Sequence, residues 1–150
     1  MAAPWPNLSP KPKPSRARRT GLVVVFVWFA IGGLAHFVFA DTEMRIVPPW
    51  MPWPREAVWI SGVLEWSGVV GLLWRLTRRA AGSGLFLLTL AVTPAHVYML
   101  QQPDLFDVPV WLLWLRLPLQ VALLALIAWA VIRPCAAATF ATPIPPVSAR

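Results

Sequence analysis

The chain has 150 residues but only one cysteine, one tyrosine, two histidines and six acidic groups. A lone thiol, Cys135, closes no intrachain disulfide and makes no CxxC pair, which excludes a disulfide scaffold and a self-contained dithiol relay. Charged residues are 13% and hydrophobic residues 58%, against about 25% and about 45–50% in soluble domains. So little polar material could not cover a soluble domain of this size, and the same composition is wrong for a disordered chain. No Ser-His-Asp order, phosphate loop, dinucleotide fingerprint or CxxCH haem attachment occurs. What is present is apolar: mean hydropathy is +0.63, with ten tryptophans. The expected fold class is all-α, a four-helix transmembrane bundle in a lipid bilayer.

The net charge of +7 is placed for a membrane rather than for nucleic acid. Lys11, Lys13, Arg16, Arg18 and Arg19 precede the first apolar run, and Arg75, Arg78 and Arg79 separate the second from the third. The spans are expected at 20–40, 57–74, 80–100 and 110–132. The 21 uncharged residues from Thr20 to Ala40 exceed a signal-peptide core of about 7–15 residues and are long enough for a bilayer of about 30 Å, so the segment is read as retained. Residues 1–19 and 133–150 read as flexible cytoplasmic tails. Cys135 falls just past the last span as a small residue, the alternative being a lipidated juxtamembrane thiol.

Segments 1–19 and 75–79 carry eight Lys/Arg and no acid. Segments 41–56 and 101–109 carry Arg45 and Arg55 against Asp41, Glu43, Glu56, Asp104 and Asp107. The positive-inside rule then puts both termini in the cytoplasm. The Pro48-Pro49-Trp50-Met51-Pro52-Trp53-Pro54 run between the first two spans is expected at the membrane surface. Trp28 and Trp66 lie deeper and are expected to pack.

Five polar side chains fall where lipid should be. Glu65 is the ninth residue of its eighteen-residue span, a depth at which a carboxylate costs about 3 kcal/mol. Ser61, Glu65, Gly68 and Leu72 share one helical face, and its small residues invite a neighbouring helix. Arg116 and Gln120 lie one turn apart, with Pro118 between them able to free backbone carbonyls. A Glu65–Arg116 contact, direct or through Gln120, is the expected way to keep both in the bundle. Such a contact either fixes helix register alone or builds a polar pocket; the third option is that Arg116 reaches to the outer surface. His36 and His96 each lie four residues from the outer end of a span, with Thr89 and Thr93 on the face of His96. Hydrogen bonding to a carbonyl or hydroxyl is the ordinary use of such a histidine. A metal set or axial haem ligation is not expected: no compact ligand spacing occurs and both histidines approach the same surface.

These residues fall into ordered motifs: Gly33-x-x-His36-Phe37, Ile46-Val47-Pro48-Pro49-x-x-Pro52, Ser61-Gly62-x-x-Glu65-x-x-Gly68, Arg78-Arg79-Ala80-Ala81, Pro94-Ala95-x-x-Tyr98-Met99 and Leu115-Arg116-Leu117-Pro118-Leu119-Gln120. Over about residues 20–132 the set resembles the DoxX-like family of small bacterial four-helix membrane proteins. In that family the position of His96 is usually asparagine, so a role held by that amide does not carry over unchanged. The resemblance implies a bacterial cytoplasmic-membrane protein with a redox association, since relatives include a thiosulfate:quinone oxidoreductase subunit and members of redox-stress complexes.

The resulting expectation is a pocket in the outer half of the bundle lined by His36, Glu65, His96, Arg116 and Gln120. Its use would be in an accessory subunit of a quinone-linked or sulfur-related membrane system, with quinone as the candidate ligand and other redox subunits as candidate partners. A small-solute or proton carrier and a non-catalytic assembly protein are the alternatives. The sequence leaves the substrate and the oligomeric state, homo-oligomer included, open.

Overall fold

A computed structural model describes residues 14–106 and 108–133. Cys135, Asp107 and the far parts of both tails, on which expectations were placed, lie outside these residues. The described residues form helix α1 (Arg16–Val38), a short α2 (Ala40–Met44), α3 (Pro54–Leu73), α4 (Arg78–Ala91), α5 (Thr93–Gln101) and α6 (Val110–Ile127). A 3-10 turn (Pro103–Leu105) precedes α6, and a π-helical turn (Ala128–Ile132) extends it. Four helices, 16–38, 54–73, 78–101 and 110–132, are long and apolar enough to cross a membrane.

Helix α1 begins four residues before the expected span because Ser15 caps it, its hydroxyl accepting from the Arg18 amide at 3.3 Å. Arg16, Arg18 and Arg19 therefore sit on the first helical turns and not in a tail. Arg18 reaches across to the far end of the chain, its guanidinium donating to the carbonyls of Trp129 (2.7 Å) and Arg133. The last turn of a helix leaves carbonyls without donors, and a cation there satisfies them. Arg78 does the same for α3, donating to the Leu72 carbonyl at 2.9 Å.

The third long helix is interrupted at Val92, two residues before Pro94. Proline has no N–H to return to the Leu90 carbonyl, so the helical hydrogen bonding is interrupted between α4 and α5. In α6, Pro118 likewise leaves the Trp114 carbonyl without its helical donor.

The helices pack in a ring, α1 on α3, α3 on α4, and α4–α5 on α6, which closes back on α1. Gly21, Val25, Phe29 and Gly33 repeat every four residues and form the buried stripe of α1. At the end bearing the 74–77 turn and Arg18, here the basic end, Val25, Phe29, Val69, Leu72, Leu85, Ile127 and Val131 meet in one buried cluster. The outward faces are as apolar as the core, with Ile31 and Val121 each 66% exposed. Trp28 and Trp66, expected to pack, keep 45% and 41% of their surface exposed.

The segment from α2 to α3 folds back over the other end, the loop end. Ile46, Val47 and Met51 are half-buried, Pro48 is buried, and Trp50 and Trp53 point outward. Trp53 adopts a left-handed backbone (φ 57°) as it turns the chain into α3, where Pro54 occupies the first helical position.

Candidate functional site

Toward the loop end the four helices separate around a cavity of about 580 Å³. All five polar residues singled out in the sequence line it: His36 from α1, Glu65 from α3, His96 from α5, and Arg116 and Gln120 from α6. Phe29, Val58, Leu88 and Leu123 supply apolar wall, and Val47, Pro48 and Met51 form the roof beneath the exposed tryptophans. Glu43 of α2 adds a carboxylate at the rim. The sequence pattern did not mark the roof, because a proline-rich loop carries no periodicity to say which side chains turn inward.

The expected Glu65–Arg116 contact is not formed. Glu65 Oε1 lies 3.5 Å from His36 Nε2 instead. Small residues permit this pairing. A Cβ at Gly62 would stand 2.9 Å from the His36 Cβ, and one at Gly32 would stand 2.9 Å from Glu65 Oε2. Hence α1 and α3 approach closely enough to bring the acid and the imidazole together. His36 Nδ1 and Glu65 Oε2 are buried and have no hydrogen-bond partner among the described residues. Such orphaned atoms are uncommon in folded interiors, and each retains an unused capacity for a hydrogen bond.

The facing wall holds a second network. The Gln120 amide donates to the Thr89 carbonyl and to Thr93 Oγ1, both at 2.7 Å, and its oxygen bonds to His96 Nδ1. Thr89, in turn, donates to the Leu85 carbonyl at 2.7 Å. Gln120 and Thr89 are buried, so the network is fixed in place and ties the α4–α5 junction to α6. Thr89 and Thr93 were legible as the face shared with His96; that Gln120 would be their partner was not. Arg116 is half-buried and its guanidinium meets Met99 Sδ at 3.4 Å, a weak acceptor. Among the described residues no carboxylate pairs with it.

The two histidines belong to separate networks on separate walls, and no group of three His, Cys, Asp or Glu side chains clusters as a metal set among the described residues. The cavity thus presents an acid–imidazole pair on one side, a guanidinium and an imidazole on the other, and apolar surface between. That combination suits a ligand with an apolar body and a polar head: the walls bury the body while a few placed groups orient the head. Trp28 and Gly32 also belong to the exposed apolar face of α1 with Val23, Val24, Val27 and Ile31, so cavity and face adjoin.

The fold and cavity define a class, a helical bundle with four helices long and apolar enough to cross a membrane and a polar-lined pocket near one end. Within it, the chain belongs to the family described as "Domain of unknown function (DUF8561)", whose model matches residues 25–133 and so takes in every residue of the cavity. No curated protein and no solved structure matches the chain.

Proposed function

We propose that this is a four-span integral membrane protein, both termini cytoplasmic, that binds a membrane-borne amphiphile in its cavity and serves as an accessory subunit of a quinone-linked membrane redox system. Support for the membrane setting comes from the apolar outer faces, which water would not tolerate at this extent. The distribution of cations supports the orientation. The DoxX-like motif order supports the redox association and a bacterial cytoplasmic membrane. One observation carries the binding role: among the described residues the acid and the guanidinium line a common cavity without pairing, Arg116 meets no carboxylate, and Glu65 Oε2 and His36 Nδ1 have no hydrogen-bond partner. A pair kept only for helix register would have its members in contact.

Arg116 would donate to a ligand oxygen such as a quinone carbonyl, and the His36–Glu65 pair would exchange a proton with the head group. The apolar tail would lie along the exposed apolar face of α1 beside Trp28. A transmembrane carrier needs access from both sides, and the packed cluster at the basic end closes one of them. The test is a titration of the purified full chain with short-chain quinones and hydroquinones, followed by isothermal titration calorimetry. Saturable binding that weakens at least tenfold in Arg116→Leu supports the reading. Absence of binding, together with unchanged quinone-linked activity in membranes from which the chain has been deleted, contradicts it.

A further inference from the structure

The hydrogen-bond network around Gln120 determines more than its own position. The Thr89 carbonyl can only accept, so the Gln120 atom 2.7 Å from it is the amide nitrogen. That nitrogen's second hydrogen goes to Thr93 Oγ1, also at 2.7 Å. With both amide hydrogens used, the group facing His96 Nδ1 is the Gln120 oxygen, itself only an acceptor. Nδ1 must therefore carry the proton. In the neutral imidazole the other nitrogen, Nε2, is then a bare acceptor. His96 lines the cavity, and Nε2 makes no hydrogen bond among the described residues.

We infer that His96 Nε2 is a hydrogen-bond acceptor built into the cavity, and that the ligand is recognised by a hydroxyl that donates to it: of the two forms of a quinone, the hydroquinone. This rests on the reading of the cavity as a site for a quinone-class amphiphile and adds which form it selects. Gln120 acts as a positioning residue, holding the tautomer. Arg116 on the same wall offers a donor and Nε2 an acceptor, so one side of the site recognises an oxygen that accepts beside one that donates. A quinone, with two carbonyls and no O–H, would leave Nε2 unpaired, and a buried polar group left unpaired is how sites reject a near-isostere.

The test uses three probes on the purified full chain: a short-chain hydroquinone kept reduced, its dimethyl ether and the matching quinone. The wild type is expected to bind the hydroquinone at least tenfold more tightly than the ether or the quinone. His96→Phe should remove that preference, bringing the affinities for the hydroquinone and the ether within about twofold of each other. ¹⁵N NMR of the wild-type imidazole should show Nδ1 protonated and Nε2 bare, with the Nε2 resonance moving on addition of hydroquinone and not of ether. This measurement needs no variant and stands even where His96→Phe does not fold. Equal binding of all three probes overturns the inference and leaves the site reading in place, as does an imidazole protonated at Nε2. Binding of none of them overturns both.

Discussion

At the basic end of the bundle, Val25, Phe29, Val69, Leu72, Leu85, Ile127 and Val131 close into a continuous apolar cluster, whereas at the loop end the same helices surround an open cavity carrying Glu65, Arg116 and two histidines. The difference separates two tasks. In the proposed membrane setting there is no water to drive helices together, so association would rest on close packing and hydrogen bonds. The basic end supplies both, through the buried cluster and through Arg18 and Arg78 on the last carbonyls of neighbouring helices. With the bundle held there, the loop end is free to keep poorly packed, costly polar groups that face one another across a gap.

The sharpest way to break this comparison is to remove the same side chain from each end. Leu85→Ala, in the cluster, is expected to lower unfolding free energy by about 2–5 kcal/mol, the range for a buried leucine that leaves a void. Leu88→Ala, one turn away on the cavity wall, should cost about 1 kcal/mol or less, since its side chain already borders empty space. Equilibrium unfolding in mixed micelles measures both; equal losses would mean that the loop end is packed like the basic end.

Next in size is Gln120→Leu. It leaves His96 Nδ1, Thr93 Oγ1 and the Thr89 carbonyl without the amide between them, so a loss of about 1–3 kcal/mol is expected in the same assay. Hydrogen exchange should increase at the α4–α5 junction. A variant as stable as the wild type would show the network to be dispensable.

A smaller effect, about 1 kcal/mol, is expected for Arg18→Ala, with faster exchange confined to residues 128–133, where the donated carbonyls lie. Unchanged exchange there would remove the clamp from the account.

Least for stability and most for function is the double replacement His36→Phe with Glu65→Leu. Exchanging a buried ionisable pair for apolar groups often leaves stability within about 1 kcal/mol of the parent, while ligand binding should fall at least tenfold. Intact binding in a stable double variant would make the pair a packing device.

How much of this could be read in advance follows the physics of each signal. Hydropathy and length identify the four long apolar segments, because bilayer-scale apolar runs need no tertiary information. The i, i+4, i+7 spacing put Ser61, Glu65, Gly68 and Leu72 on one inward face; Gly68 and Leu72 are buried, and Ser61 and Glu65 turn to the cavity. The partner of Glu65 was not legible. Periodicity places a residue on a face, but which neighbour it meets depends on how closely two helices approach, and here Gly32 and Gly62 draw α1 inward ahead of α6. The early start of α1 was hidden for a related reason. A run of arginines reads as a tail until Ser15 caps it and Arg18 finds carbonyls 111 and 115 residues away in sequence.

Native mass spectrometry of the full chain, released from membranes without added ligand, tests the central claim most directly. The wild type is expected to carry a non-covalently bound small amphiphile, and Arg116→Leu, folded as judged by its unfolding transition, to carry none. A wild type free of any bound molecule, or an Arg116→Leu variant that retains the same one, would contradict a cavity built around that guanidinium.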